Sequence, residues 1–262
     1  NYLVIANPKD NDSLVDSPTN GTASSGGDAG GTVVGNYCTW NPLTPQWSGM
    51  TYGTSWGTLS NGNLDIATSG LSQAGRILGT FAMSSGKWYW ESTINSTDGM
   101  NIGIAAVNSI PATNGYLGTD AKSYAYFSNG NKYTNATQTS YGATYAAGDV
   151  IGVAFDADNG TLTFYKNGTS QGTAFTGLTS GPYVPGESYA NRNTSANFGQ
   201  RPFAYAAPSG YKSLNTANLP TSAILKGSDY FDTVLRSGFG SSGGTVTGLG
   251  FNPDLIWEKP RS

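Results

Sequence analysis

Side chains able to do chemistry are few in this sequence: three glutamates (Glu91, Glu187, Glu258), a single cysteine (Cys38) and no histidine. Without histidine the commonest general base and the commonest transition-metal ligand are both missing. A glycosidase needs two carboxyl groups facing each other across a sugar ring. Glu91 lies in an alternating, strand-like stretch. Glu187, read as part of the loop Pro185-Gly186-Glu187-Ser188, would have to meet Asp156 or Asp120 in space, and no spacing enforces that meeting. A serine nucleophile has no histidine to take its proton, and no Ser-Lys spacing replaces it. Asp10, Asp12 and Asp16, and the run Asp156-Ala157-Asp158-Asn159-Gly160, offer oxygen ligands at intervals that do not make a calcium loop. The second run is flanked by strand-like Phe155 and Leu162, so it reads as a hairpin turn. No catalytic residue, metal ligand or cofactor is expected, and the chain is read as a non-enzyme.

The sequence does offer aromatic rings among polar loop residues, the usual platform for a sugar face or a peptide side chain. Three segments qualify. Residues 44–57 hold Trp47, Tyr52 and Trp56; residues 108–122 hold Tyr116 with Asp120; residues 128–145 hold Tyr133, Tyr141 and Tyr145. These eight residues are the candidate ligand-binding set. Packing within their own loops or against a neighbouring subunit is the competing fate of each ring.

The elements that would position them are strands. Glycine numbers 37, aromatic residues make up 12% and charged residues only 11%, a profile of tight turns with enough rings to fill a core. Trp88, Trp90, Ser92 and Ile94 alternate with Tyr89, Glu91 and Thr93, the period of a strand. Val150–Phe155 is apolar on both faces and reads as a buried strand. Leu162 and Phe164 alternate with Thr161, Thr163 and Tyr165. Six Asn-Gly dipeptides, at Asn20, Asn61, Asn114, Asn129, Asn159 and Asn167, supply the positive φ angles of hairpin turns. No stretch sustains a helical period, so the prediction is an all-β antiparallel sandwich. Scattered Lys and Arg and a net charge of −3 give no basic stripe for nucleic acid. No apolar run approaches the ~20 residues of a membrane-spanning helix, and membrane insertion is not expected.

Four ordered motifs carry a resemblance: Gly86-Lys87-Trp88-Tyr89-Trp90-Glu91, Asp149-Val150-Ile151-Gly152-Val153-Ala154-Phe155-Asp156, Gly160-Thr161-Leu162-Thr163-Phe164-Tyr165-Lys166-Asn167-Gly168 and Asn197-Phe198-Gly199-Gln200-Arg201-Pro202-Phe203. Together they resemble the SPRY (B30.2) domain, a concanavalin-like sandwich, over most of residues 35–218. The resemblance implies partner binding by loops at one end of the sandwich. The family's peptide-contacting residues have no recognisable counterparts here. The flanks, Asn11–Asn20 leading to Gly35–Leu43, and Tyr230–Leu235 followed by Gly248–Ser262, are similar to segments around SPRY modules in bacteriophage virion and tail proteins.

Three regions follow: an N-terminal arm (1–34), the sandwich (35–218), and a linker with the beginning of a second β module (219–262). A strand over Leu255–Lys259 would lack pairing partners, which points to a truncated module. The expected role is a phage virion surface protein, on a tail fibre or tail tip, assembled in the bacterial cytoplasm and displayed on the extracellular particle. Its partners would be copies of itself in a trimer, neighbouring virion proteins, and a host-surface glycan or protein held by many weak contacts at once. A structural capsid-decorating or tail subunit, and a bacterial secreted adhesin or filament protein, are the alternatives.

Overall fold

The computed structural model describes residues 35–43, 58–68, 75–96, 100–109, 115–189, 193–219, 227–234 and 246–257. In chain order the strands are β1 (Thr58–Ser60), β2 (Asp65–Ala67), β3 (Gly75–Leu78), β4 (Lys87–Ile94), β5 (Asn101–Ala106), β6 (Ser123–Phe127) and β7 (Asn131–Thr134). They continue as β8 (Thr137–Ser140), β9 (Val150–Asp156), β10 (Thr161–Lys166), β11 (Thr169–Phe175), β12 (Tyr183–Tyr189) and β13 (Asn193–Asn197). One sheet runs β1-β2-β13-β4-β9-β10-β11 and the other β3-β12-β5-β6-β7-β8. All strand pairings are antiparallel. The only helical turns among the described residues are two short 3-10 segments. The all-β antiparallel sandwich expected from the alternation is the fold.

Inward-facing side chains of both sheets meet in one core. Trp88, Trp90 and Ile94 of β4 and Ile151, Val153 and Phe155 of β9 pack with Ile102 and Ile104 of β5 and Tyr126 of β6. Phe155 and Tyr183 meet edge to face across the gap, with ring centroids 5.4 Å apart. Trp40, ahead of β1, fills one side and packs at 5.1 Å on Phe198. Such edge-to-face pairs add to the burial term.

The alternate face of β4 is not open to water: Tyr89 and Glu91 are 1% and 2% exposed. Chain following β13 lies across them, with Phe203 edge-on to Tyr89 at 5.0 Å. Glu91 accepts the Ala204 and Tyr205 N–H groups at 2.7 and 2.9 Å and the Tyr89 hydroxyl at 3.1 Å. This strap explains why β9 is apolar on both sides. Gly152 faces the strap side, where a Cβ would come 2.4 Å from the Tyr89 hydroxyl, so only glycine leaves room for that ring.

Of the four Asn-Gly pairs within the described residues, only Asn167-Gly168 makes the two-residue hairpin that the pattern predicts; those at Asn61, Asn129 and Asn159 lie in longer turns. Asn167 and Gly168, at φ 49° and 76°, join β10 to β11 in two residues. Asp156-Ala157-Asp158-Asn159-Gly160 is a turn: Asp156 accepts the Asn159 N–H at 3.0 Å and its side-chain amide at 2.8 Å, and pairs with Lys87 at 3.1 Å.

The chain divides into two compact units, ending at Asn218 and beginning at Leu219. In the second, Gly227–Asp229 forms a 3-10 turn, while Leu255, Ile256 and Trp257 are exposed and form no strand. The strand expected at Leu255–Lys259 is therefore not present over its described part, since no neighbouring strand is paired with it.

Candidate functional site

Alternation along the six-stranded sheet leaves a second, smaller apolar patch on the face turned away from the main core. Leu78, Ala105, Ala125 and Val184 form it, Leu117 covers it, and Tyr133 packs alongside. Residues 115–122 are fastened to this face by buried hydrogen bonds. The Leu117 N–H donates to Ser188 Oγ and its carbonyl accepts from Asn101 Nδ2 at 2.8 Å; the Gly118 N–H donates to Ser123 Oγ at 2.8 Å. Gly118, at φ 94°, lies under the Tyr133 ring, and a Cβ there would sit 2.6 Å from Tyr133 Cδ1.

Asp120 anchors the segment. Its carboxylate accepts from Ser109 Oγ at 2.9 Å, from Ser123 Oγ and the Lys122 N–H at 2.8 Å each, and from Arg76 Nη1 at 3.3 Å. Arg76 also donates to Ser109 Oγ at 2.9 Å and to the Ser109 carbonyl. Burial pulls the guanidinium below its ordinary pKa, while the Asp120 charge works the other way. The β7–β8 hairpin is tied to the same segment: Asn135 and Ala136 N–H groups donate to the Asp120 and Gly118 carbonyls at 3.1 and 3.0 Å. Burial, and then neighbouring Tyr116, push the Tyr133 hydroxyl pKa up.

Tyr116 and Asp120, predicted from one segment, and Tyr133, predicted from another, thus come together on one face. Asp120 is not a free ligand group there, because four donors, one of them the buried Arg76, occupy it. Tyr116 and Tyr133 remain half-buried, with part of each residue open to solvent. The arrangement is a rigid, charge-compensated aromatic platform.

Tyr145 belongs to the core instead, and half-buried Tyr141 packs against it. Tyr145 is 5% exposed, with its hydroxyl 2.9 Å from both the Met100 and Tyr126 carbonyls. Tyr141 packs edge-on to Tyr126 at 5.2 Å, donates its hydroxyl hydrogen to the Gly172 carbonyl, and accepts the Phe164 N–H at 3.3 Å. Burial pushes its pKa up to about 12. These rings seal one edge of the sandwich, where the chain passes from β8 to β9. Trp47, Tyr52 and Trp56 lie outside the described residues.

Glu187 is a correction. It lies in β12, not in a loop, fully buried between the sheets, where Ser92 and Thr194 hydroxyls donate to it at 2.5 and 2.8 Å. The Ser92 and Thr194 hydroxyls hold Glu187 inside the sandwich, and Glu91 is bound under its strap on the opposite face of the sheet. Both carboxylates are buried, at 0% and 2% exposed. Arg76 and Ser109 had no sequence signal, since neither sits in a motif. The Asn135-Ala136 turn had one weak signal, the tolerance of Asn for positive φ.

The family model described as SPRY domain matches residues 87–201. The chain is 33% identical over 144 residues (55% of this chain, 18% of the relative) to "Probable ATP-dependent RNA helicase ddx1" of Dictyostelium discoideum. It is 38% identical over 135 residues (46% and 20%) to Ran-binding protein 10 of Danio rerio. It is 32% identical over 137 residues (50% and 11%) to E3 ubiquitin-protein ligase RKP of Arabidopsis thaliana. The chain spans a fifth or less of the length of these relatives. All three are eukaryotic proteins, so the likeness carries the domain and not a virion setting. Three of the four motifs lie on β4, β9 and β10 and the fourth starts at the last residue of β13, so residues 87–201 match the SPRY domain family, whose domains mediate protein–protein interaction.

Proposed function

We propose that this SPRY domain is a non-enzymatic recognition module on the surface of a bacteriophage virion, on a tail fibre or tail tip, and that it binds a protein or glycan of the host surface. The observation that carries the binding role is the Tyr116–Tyr133 platform. Its backbone is fixed by Asp120, Arg76 and Ser188, so a partner docking on the two rings orders little that is not already ordered. The virion setting is supported by the similarity of the flanks at 11–20 and 35–43, and at 230–235 and 248–262, to segments of phage structural proteins. Repeated copies on one particle would turn weak contacts into firm adhesion.

The exposed Leu255, Ile256 and Trp257 favour a second reading, a structural capsid-decorating or tail subunit, because a contiguous apolar run of this kind suits burial against a neighbour. One experiment separates the two. Labelled full-length chain, wild type and a Tyr116→Ala/Tyr133→Ala double variant, is incubated with a panel of bacterial cells. Under the recognition reading some strain binds the wild type, and the double variant binds it at least about tenfold more weakly, as loss of anchor rings predicts. Equal binding by both, with melting temperatures matched, defeats this platform. If no strain binds while the chain incorporates into particles, the structural reading takes its place.

A further inference from the structure

Four Asn-Gly pairs lie wholly within the described residues, beginning at Asn61, Asn129, Asn159 and Asn167. The pair is intrinsically reactive because glycine has no side chain to shield its own backbone nitrogen from the neighbouring Asn side-chain amide. Reaction requires that amide to rotate until its carbon meets the nitrogen, a near-attack geometry that hydrogen bonds elsewhere oppose.

Three of the four amides are held. Asn167 Oδ1 accepts the Val150 N–H at 2.8 Å while its Nδ2 donates to Asp149 at 2.7 Å. Asn159 Nδ2 donates to Asp156 at 2.8 Å. Asn129 donates to Gln138 and accepts the Asn131 N–H, both at 3.0 Å, and the Gly130 N–H is itself bound to the Phe127 carbonyl at 2.9 Å. Asn61 differs. It is exposed at the tip of the β1–β2 hairpin, and among the described residues neither its side chain nor the Gly62 N–H has a hydrogen-bond partner. The bond closing that turn runs from the Leu64 N–H to the Ser60 carbonyl at 3.1 Å and restrains neither reacting group.

We propose that Asn61 is a site of spontaneous, backbone-assisted deamidation and that Asn129, Asn159 and Asn167 are protected from it by their hydrogen bonds. The Gly62 nitrogen gives its proton to solvent base and bonds to Asn61 Cγ. The Cγ–Nδ2 bond breaks, and Nδ2 leaves as ammonia, leaving a five-membered succinimide. Water then adds to one imide carbonyl and opens the ring to aspartate or to its β-linked isomer. The net change is amide plus water to carboxylate plus ammonium, with no oxidation or reduction. The formal net charge of −3 gains one further negative unit. The β-linked product also inserts a methylene into the backbone of a turn that sets the Ser60↔Asp65 register and whose Asn63 carbonyl accepts the Trp40 N–H at 2.9 Å.

The test is ageing of the full chain in mildly alkaline buffer, with peptide mapping by mass spectrometry and enzymatic methylation of β-linked aspartate. Conversion at Asn61 is expected to run about tenfold faster than at Asn129, Asn159 or Asn167, a barrier difference of ~1.4 kcal/mol. Conversion at Asn61 no faster than at Asn167 overturns the proposal. In urea the four rates should converge; if Asn61 keeps its lead when unfolded, local sequence and not the fold is responsible, and the proposal fails. An Asp149→Ala variant removes one bond from Asn167 and should raise its rate toward that of Asn61, whereas an unchanged rate rejects protection by hydrogen bonding.

Discussion

On the outside of the seven-stranded sheet, Glu91 fastens a strap through the Ala204 and Tyr205 N–H groups. On the outside of the six-stranded sheet, Asp120 fastens residues 115–122 through hydroxyls and the buried Arg76. Each is a carboxylate holding irregular chain against a sheet, but the surroundings differ. The first strap lays Phe203 over Tyr89 and closes the face. The second lays down only Leu117 and leaves Tyr116 and Tyr133 half open. A rigid aromatic surface is available to a partner only where the covering segment does not use its own side chains to hide it. That places the candidate platform on the six-stranded side.

The strongest test of the contrast removes the buried arginine that is ion-paired with Asp120. Arg76→Ala leaves Asp120 charged, largely buried and short of its partner, and is expected to destabilise by about 3–5 kcal/mol, the cost of breaking a buried pair from one end. Denaturant unfolding measures it. A loss below about 1 kcal/mol would mean that the hydroxyls and the Lys122 N–H hold Asp120 unaided, and the two anchors would then be alike.

Glu91→Gln probes the other anchor more gently. The amide keeps one acceptor oxygen but turns its NH2 toward a backbone N–H, and an expected cost of about 1–3 kcal/mol follows from the unpaired donor. The pH dependence carries further information. Burial raises the Glu91 pKa above the usual carboxylate range, against the Ala204 and Tyr205 N–H groups, the Tyr89 hydroxyl and the Arg201 charge. A raised folded-state value gives stability that is full below the unfolded glutamate range and lost as pH rises through the folded value. Asp149 and Asp156 titrate alike in both proteins and cancel. The difference in unfolding free energy between wild type and variant should therefore shrink as pH rises; a difference that grows would show the bonds outweighing burial.

Much of the fold was legible because its strands obey a two-residue period and its turns carry Asn-Gly: β4, β9 and β10 lie where alternation put them, and Asn167-Gly168 turns as expected. The strap was not legible, because Phe203–Tyr205 has no period and meets β4 only through tertiary contact. Glu187 was misplaced because Pro185-Gly186 reads as a loop. In the sheet, the Pro185 carbonyl accepts the Gly79 N–H at 2.8 Å, just where β3 has ended, so its missing donor interrupts no ladder bond. Of the candidate site, the ring types were visible in sequence but not their faces. Tyr133 lies outward and Tyr145 inward, and Arg76, which fixes the platform, sits in no motif at all.

The smallest expected effect concerns the hairpin beside that platform. Asn135 and Ala136 both take positive φ, 48° and 55°, to join β7 to β8 in two residues. A β-carbon in that region costs about 1–2 kcal/mol, which Asn partly recovers and alanine does not. Ala136→Gly removes that strain but gives the unfolded chain more freedom, worth about 0.4–1 kcal/mol the other way. The net expectation is a gain of roughly 0.5–1 kcal/mol, read as a higher denaturant midpoint. The Ala136 N–H bond to the Gly118 carbonyl is a backbone bond and survives the change, so partner binding should not alter. The reverse substitution on the other sheet, Gly168→Ala, adds the same strain at φ 76° and brings a Cβ within 2.6 Å of Tyr205, so it should destabilise by more than Ala136→Gly gains. If Ala136→Gly lowers the midpoint, the β7–β8 tip is not strained, and the two hairpins differ by composition alone.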